Sequence, residues 1–117
     1  MRRILFNQMV EYSLQLDSIF GSLADPTRRD ILRRVAKKEL SVGEISKPYK
    51  LTFAAISKHL KVLEKAKLII KRKKGREQMV LMAPKTIDAA SDYLETYKKV
   101  WDDRLDSLEA YLSTFPQ

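Results

Sequence analysis

Apolar residues recur at three- and four-residue steps through the first half of the chain, and each run follows a helix-start signal. Leu14, Leu16, Ile19, Phe20 and Leu23 predict a short amphipathic helix from about Asp17, with that aspartate as N-cap. Asp25-Pro26 opens a second helix. Its acidic cap precedes a proline at the first helical position, where the missing N–H costs nothing. Ile31, Leu32 and Val35 form its apolar stripe, and Arg28, Arg29, Arg33 and Arg34 its wet one. Ser41-Val42-Gly43-Glu44 has the Ser-x-x-Glu spacing of a capping box, opening a short third helix that Pro48 ends.

After the link Tyr49-Lys50-Leu51, Thr52 caps a fourth helix running to about Ala66, and here the two faces separate. At 100° per residue, Ile56, Leu60 and Leu63 lie within about 60° of one another, with Ala54, Ser57, Lys58, Lys61 and Lys65 opposite. Two strands follow: Leu68-Ile69-Ile70 leads into a basic run, and Gln78 to Met82 returns. Lys74-Gly75 marks the hairpin tip, because glycine supplies the positive φ of a tight turn. From about Asp88 to Leu112 a long helix carries Leu94, Tyr97, Trp101, Leu105, Leu108 and Leu112 at steps of 3, 4, 4, 3 and 4. Its other face is acidic, with Asp88, Asp92, Glu95, Asp102, Asp103, Asp106 and Glu109.

Charge sharpens this picture. The chain has 117 residues and a net charge of +8, yet Ser41–Arg76 alone holds eleven Lys or Arg against Glu44 and Glu64, a local +9. The excess therefore sits on one third of the chain, the footprint of a folded element that lies on a polyanion. An apolar fraction of 44% beside 32% charged residues describes a globular domain. There is no cysteine, hence no disulfide framework, thiolate metal site or cysteine nucleophile. Ile4-Leu5-Phe6 is too short for a signal-peptide core and no later stretch is long enough for a membrane span, so a cytoplasmic protein is expected. The three glycines form no phosphate loop, and the single histidine has no clustered partners, which argues against an enzyme.

Two short helices joined by a tight link, then a basic hairpin, describe a winged helix-turn-helix. The fold expected is mainly α, with five helices and a two-stranded β wing. The second helix of such a pair enters a major groove only if its outer side chains are small or long and cationic. Ala54, Ser57, Lys58 and Lys61 are the candidates at the groove and base edges. Lys50, Thr52, His59, Lys65, Lys71 and Lys73 are candidates for phosphate, and Arg72, Lys74 and Arg76 for the wing tip. A lysine-rich solvated helix is the plainer alternative; the adjoining wing and the scarcity of acids weigh against it. His59 reads equally as a phosphate donor and as a half-buried packing residue, and Arg28 and Arg29 read as structural or solvent-facing more than as DNA contacts.

Ala24-Asp25-Pro26-Thr27-Arg28-Arg29, then Ile56-Ser57-Lys58-His59-Leu60-Lys61-Val62-Leu63-Glu64, then Gly75-Arg76, resemble the arsenical-resistance-repressor (ArsR) family of bacterial transcription regulators. The resemblance runs from about Met9 to Trp101 and Tyr111-Leu112. It implies a homodimeric winged-helix repressor, with the helix from Thr52 as recognition helix and the first and last helices as the dimer interface. Leu16, Phe20, Leu94, Tyr97, Trp101, Leu105, Leu108 and Leu112 are the interface candidates. Family members often sense metals through cysteine, or through His and Asp on the last helix. This chain has no cysteine and no histidine there, so it resembles a non-metal-sensing branch and no cofactor is expected.

Met9-Val10-Glu11-Tyr12-Ser13 resembles the family's usual beginning, which makes Met9 a candidate start, or residues 1–8 a disordered extension of a single domain over 9–117. Within it, 41–66 is the helix-turn-helix, 68–82 the wing and 88–112 the dimerisation helix. Lys67 stands where relatives commonly have glycine. The function expected is a regulator, most simply a repressor, binding an inverted-repeat operator in duplex DNA as a homodimer, with its effector unidentified. The rival functions are a nonspecific architectural DNA binder and a protein-interaction module using the acidic last helix.

Overall fold

Among the described residues sixteen hydrophobic side chains are buried, and most of them sit on the stripes that the spacing marks out. The computed structural model describes residues 2–116, with side chains from Asn7 onward apart from those of Met9 and Val10. The elements in chain order are α1 (Arg2–Ser22), α2 (Pro26–Lys37), β1 (Leu40–Ser41), α3 (Val42–Ser46), α4 (Phe53–Lys65), β2 (Ile69–Lys74), β3 (Glu77–Met82) and α5 (Pro84–Leu112). They divide into two compact units, 1–86 and 87–117.

The first unit is built around α4, which packs on α1, α2 and β2. Ile56, Leu60 and Leu63 are fully buried, beside Ile19 of α1, Ile31 of α2, Ile45 of α3 and Val80 of β3. The helix starts are those the sequence marks. The Asp25 carboxylate accepts from the Thr27 and Arg28 N–H groups at 2.8 and 3.1 Å. Ser41 and Glu44 close a reciprocal capping box, each side chain accepting the other's backbone N–H at 3.1 Å. Thr52 Oγ1 accepts from Ala55 N–H at 3.1 Å.

The last helix starts at Pro84, about one turn before the expected Asp88, and three further features differ from the sequence-based expectation. First, α1 runs unbroken from Arg2, so residues 2–8 are helical and Asp17 lies inside the helix instead of capping it. No proline or glycine interrupts residues 2–20, and an aspartate on an exposed face is tolerated mid-helix. Second, the sheet has three strands in the order β1-β3-β2, with Leu40 opposite Val80 and Ser41 opposite Met79. A two-residue strand leaves no period-2 pattern to read, and Ser41 serves both as strand residue and as the cap of α3. Third, Lys74 pairs with Glu77, so the turn residues are Gly75 and Arg76, one step beyond the expected tip. Gly75 has φ +63° at the first turn position, the pattern of a type II′ hairpin turn.

The exit from α4 decides where the wing starts. Lys67 has φ +61°, and the Lys67 and Leu68 N–H groups donate to the Glu64 and Leu63 carbonyls at 2.9 and 3.0 Å. That is a Schellman cap, completed by burial of both Leu63 and Leu68. The Lys67 carbonyl in turn accepts from the Thr86 hydroxyl. A lysine at a left-handed position carries strain that glycine does not. Lys67→Gly is expected to raise the unfolding free energy by roughly 0.5–1 kcal/mol, measured by urea denaturation; an unchanged or lowered midpoint would count against strain at this residue.

Candidate nucleic-acid interface

Arginine side chains hold the helices that present α4. Arg28 Nε donates to the Ser22 carbonyl at 2.6 Å and Arg29 Nη1 to that of Leu23 at 2.8 Å. These are orphan acceptors at the C-terminal end of α1, where a cation also complements the helix dipole. Arg34 does the same for α3, donating to the Ile45 and Glu44 carbonyls at 2.8 and 3.0 Å. Its guanidinium lies 5.5 Å from the centre of the Tyr49 ring. The Tyr49 hydroxyl donates to Asp30 of α2. The link between α3 and α4 is thereby tied to α2. Arg28 and Arg29 donate to carbonyls at the end of α1; the parts of Arg34, Asp30 and Tyr49 are visible only in three dimensions.

With its apolar stripe inward, α4 turns Ala54, Lys58, Lys61 and Lys65 outward as exposed residues, with Ser57 half-buried beside them. Lys50 and Thr52 are exposed just before the helix, and Lys73, Lys74 and Arg76 are exposed on the wing. Three other candidates are engaged within the protein. His59 has 19% of its side chain exposed, and its Nδ1 lies 3.4 Å from Arg28 Nη1 and 4.0 Å from Asp25 Oδ1. It sits on the flank of α4 turned to the start of α2, which favours packing over a free phosphate donor. Lys71, with 21% exposed, has its Nζ 3.6 Å from Glu64 Oε1 on α4. Arg72 lies within β2 and not at the tip, donating from Nε and Nη2 to both Glu39 oxygens at 2.7 Å.

Among the interface candidates, Leu16 is buried in the core of its own unit, whereas Phe20 is half-buried. On α5, Leu94, Tyr97, Trp101, Leu105, Leu108 and Leu112 are all exposed. Sequence reasoning passed over Phe53. It is the first residue of α4 and 73% exposed, the most open large hydrophobic residue among those described. Its signal was an aromatic residue in a helix's first turn, on the outer side of the core stripe.

The model of the "Bacterial regulatory protein, arsR family" matches residues 25–71, from the cap of α2 into β2. The HTH-type transcriptional regulator Rv2034 of Mycobacterium tuberculosis is 35% identical over 81 residues, covering 69% of this chain and 76% of that protein. The chain belongs to the arsR family. A second member, the transcriptional repressor SdpR of Bacillus subtilis, is 31% identical over 61 residues, covering 52% of this chain and 68% of its own. The solved ArsR-like transcriptional regulator from Rhodococcus sp. RHA1 superposes with a TM-score of 0.70 at 26% identity, over 88% of this chain and 97% of that one.

This arsR-family chain is accordingly a winged helix-turn-helix transcription regulator and not an enzyme. The family match spans the arginine clamps, the capping box and the whole of α4, and ends before the wing tip and α5. Among the described residues, no three His, Cys, Asp or Glu side chains gather as a metal site would require. No helix of the described residues is long and apolar enough to cross a membrane.

Two carboxylates of the scaffold respond to acid. The Arg28 backbone N–H, with help from nearby positive charge, holds Asp25 below its ordinary 3.8. The Tyr49 hydroxyl, followed by Arg33, does the same for Asp30. A carboxylate whose pKa is depressed on folding contributes stability that is complete above the unfolded value and is lost as pH falls through the folded one. Tyr49→Phe is therefore expected to be less stable than the parent at neutral pH, with the gap narrowing as pH falls below the ordinary carboxylate value of 3.8. Unfolding midpoints measured across that range test it, and a gap independent of pH would refute the assignment.

Proposed function

We propose that the chain binds duplex DNA sequence-specifically as a homodimer and represses transcription by occupying an inverted-repeat operator. The outer face of α4 carries the proposal: small Ala54 and Ser57 beside Lys58 and Lys61, on a helix whose rotation is held by its buried stripe. Ala54 and Ser57 let the helix approach the floor of the groove, and Lys58 and Lys61 reach guanine edges. Lys50, Thr52, Lys65 and Lys73 bind phosphate, and Lys74 and Arg76 lie along the minor groove beside the wing. His59, Lys71 and Arg72 are assigned lesser parts, because Arg28, Glu64 and Glu39 already engage them.

Dimerisation is supported by the exposed stripe of α5, where Leu94, Tyr97, Trp101, Leu105, Leu108 and Leu112 meet water in the single chain. An aromatic and leucine seam of this kind on a helix with an acidic opposite face is suited to pairing with protein, not with DNA. A twofold dimer needs half-site centres about one helical turn apart, ~34 Å. The protein works in the cytoplasm, beside the DNA it regulates.

In a binding-site selection assay, Lys61→Ala is expected to relax base preference at one position per half-site. Lys73→Ala should weaken every sequence alike and make the slope of log affinity against log salt shallower by about one per protomer. Identical outcomes for the two variants would break this division of labour. Separately, Trp101→Ala with Leu105→Asp should give a monomer by sedimentation, with operator affinity reduced at least about tenfold. A monomeric parent protein would overturn the dimer.

A further inference from the structure

We infer that Phe53 is a base-reading residue whose ring packs on the C5-methyl group of a thymine, so that each half-site carries a thymine at one fixed position. The inference rests on the proposed DNA-binding function and deepens it. Phe53 is the first residue of α4 and 73% exposed. The fold does not use it: the apolar stripe that seats α4 begins at Ile56, and among the described residues Phe53 enters no ring contact. A phenyl ring this exposed is open to an apolar partner from outside the chain, which would remove its surface from water.

Its position says what that partner is. The N-terminal residues of a recognition helix are those that contact base edges in the major groove. Phe53, Ser57 and Lys61 follow at four-residue steps, so the ring stands at the leading end of the ridge that carries the small and cationic residues. Phe53 also lines, with Val42, Ser57, Leu60, Lys71 and Gln78, an open cleft beside the first turns of α4. The segment around it is cationic, with Lys50, Lys58 and Lys61 exposed, which suits a polyanion and disfavours an apolar protein surface. On a polyanion's major-groove edge the thymine methyl is the one apolar group available. A phenyl ring has no hydrogen bond to offer a base, so it selects by this methyl alone.

The test uses the full chain and the duplex it selects from random-sequence DNA. Each thymine of that duplex is replaced in turn by deoxyuridine, which removes the methyl and leaves base pairing intact. One thymine per half-site should be sensitive, its replacement weakening binding about fourfold, and ~15-fold when both half-sites are changed. Phe53→Ala, checked for folding by circular dichroism and thermal melting, should bind the thymine and deoxyuridine duplexes equally. Phe53→Leu, which keeps an apolar side chain, should retain part of the difference.

A selected duplex that stays preferred while no thymine is sensitive would sink the inference and leave the DNA-reading function standing. Methyl sensitivity undiminished in Phe53→Ala would assign the contact to another residue. Equal weakening of all sequences by Phe53→Ala, without methyl dependence, would make the ring a stacking wedge and overturn methyl reading. If selection returns no preferred sequence, the sequence-specific function falls together with the inference.

Discussion

The complete burial of Ile56, Leu60 and Leu63 is the constraint from which the surface of α4 follows. Each such side chain contributes roughly 1.5–3 kcal/mol by leaving water, whereas an exposed lysine pair contributes about 1 kcal/mol or less. Packing, not charge, therefore sets the rotation of the helix. With the stripe facing α1, α2 and β2, the residues on the opposite arc have no choice of direction. Ala54, Lys58, Lys61 and Lys65 point outward because three aliphatic side chains point in.

The same burial propagates into the neighbouring elements. Leu63 takes part in the helix cap that turns the chain at Lys67, and Leu68 packs immediately afterwards, so β2 begins at a defined angle and distance from α4. On the other side, the arginines of α2 satisfy the ends of α1 and α3. Two groups of cationic residues stand apart. Arg28, Arg29 and Arg34 are bound to carbonyls at helix ends, while the lysines of α4 and of the wing tip have their heads in solvent. The planar guanidinium suits the first task and the flexible ammonium the second.

Much of this was legible in the residues, for reasons that differ from element to element. The starts of α2, α3 and α4 were readable because Asp25-Pro26, Ser41-x-x-Glu44 and Thr52 each act on backbone groups within three residues. The stripe of α4 was readable because a helix repeats its burial every three or four positions. The extent of α1 was not, since Asp17 has the composition of a cap without the position of one. Nor was β1, whose two residues are strand only because Val80 and Met79 pair with them. Local signals also could not say which cations were already engaged: the partners of His59, Lys71 and Arg72 lie far from them along the chain or on another element. Phe53 was passed over for a related reason. An aromatic residue is read as core unless the fold shows that it has none to join.

The Arg72–Glu39 pair reaches over the central strand, from β2 to the residue that enters β1 and then α3. It costs the wing one free charge, but it also braces the outer strand of the hairpin against the base of the helix-turn-helix. Together with the cap at Lys67, this attaches the wing at two points, one to each helix of the pair. A hairpin held at two points has less freedom to pivot while α4 stays seated. On the proposed function, part of the fit between wing and groove then falls to the DNA, whose local width and twist carry a deformation cost that depends on sequence.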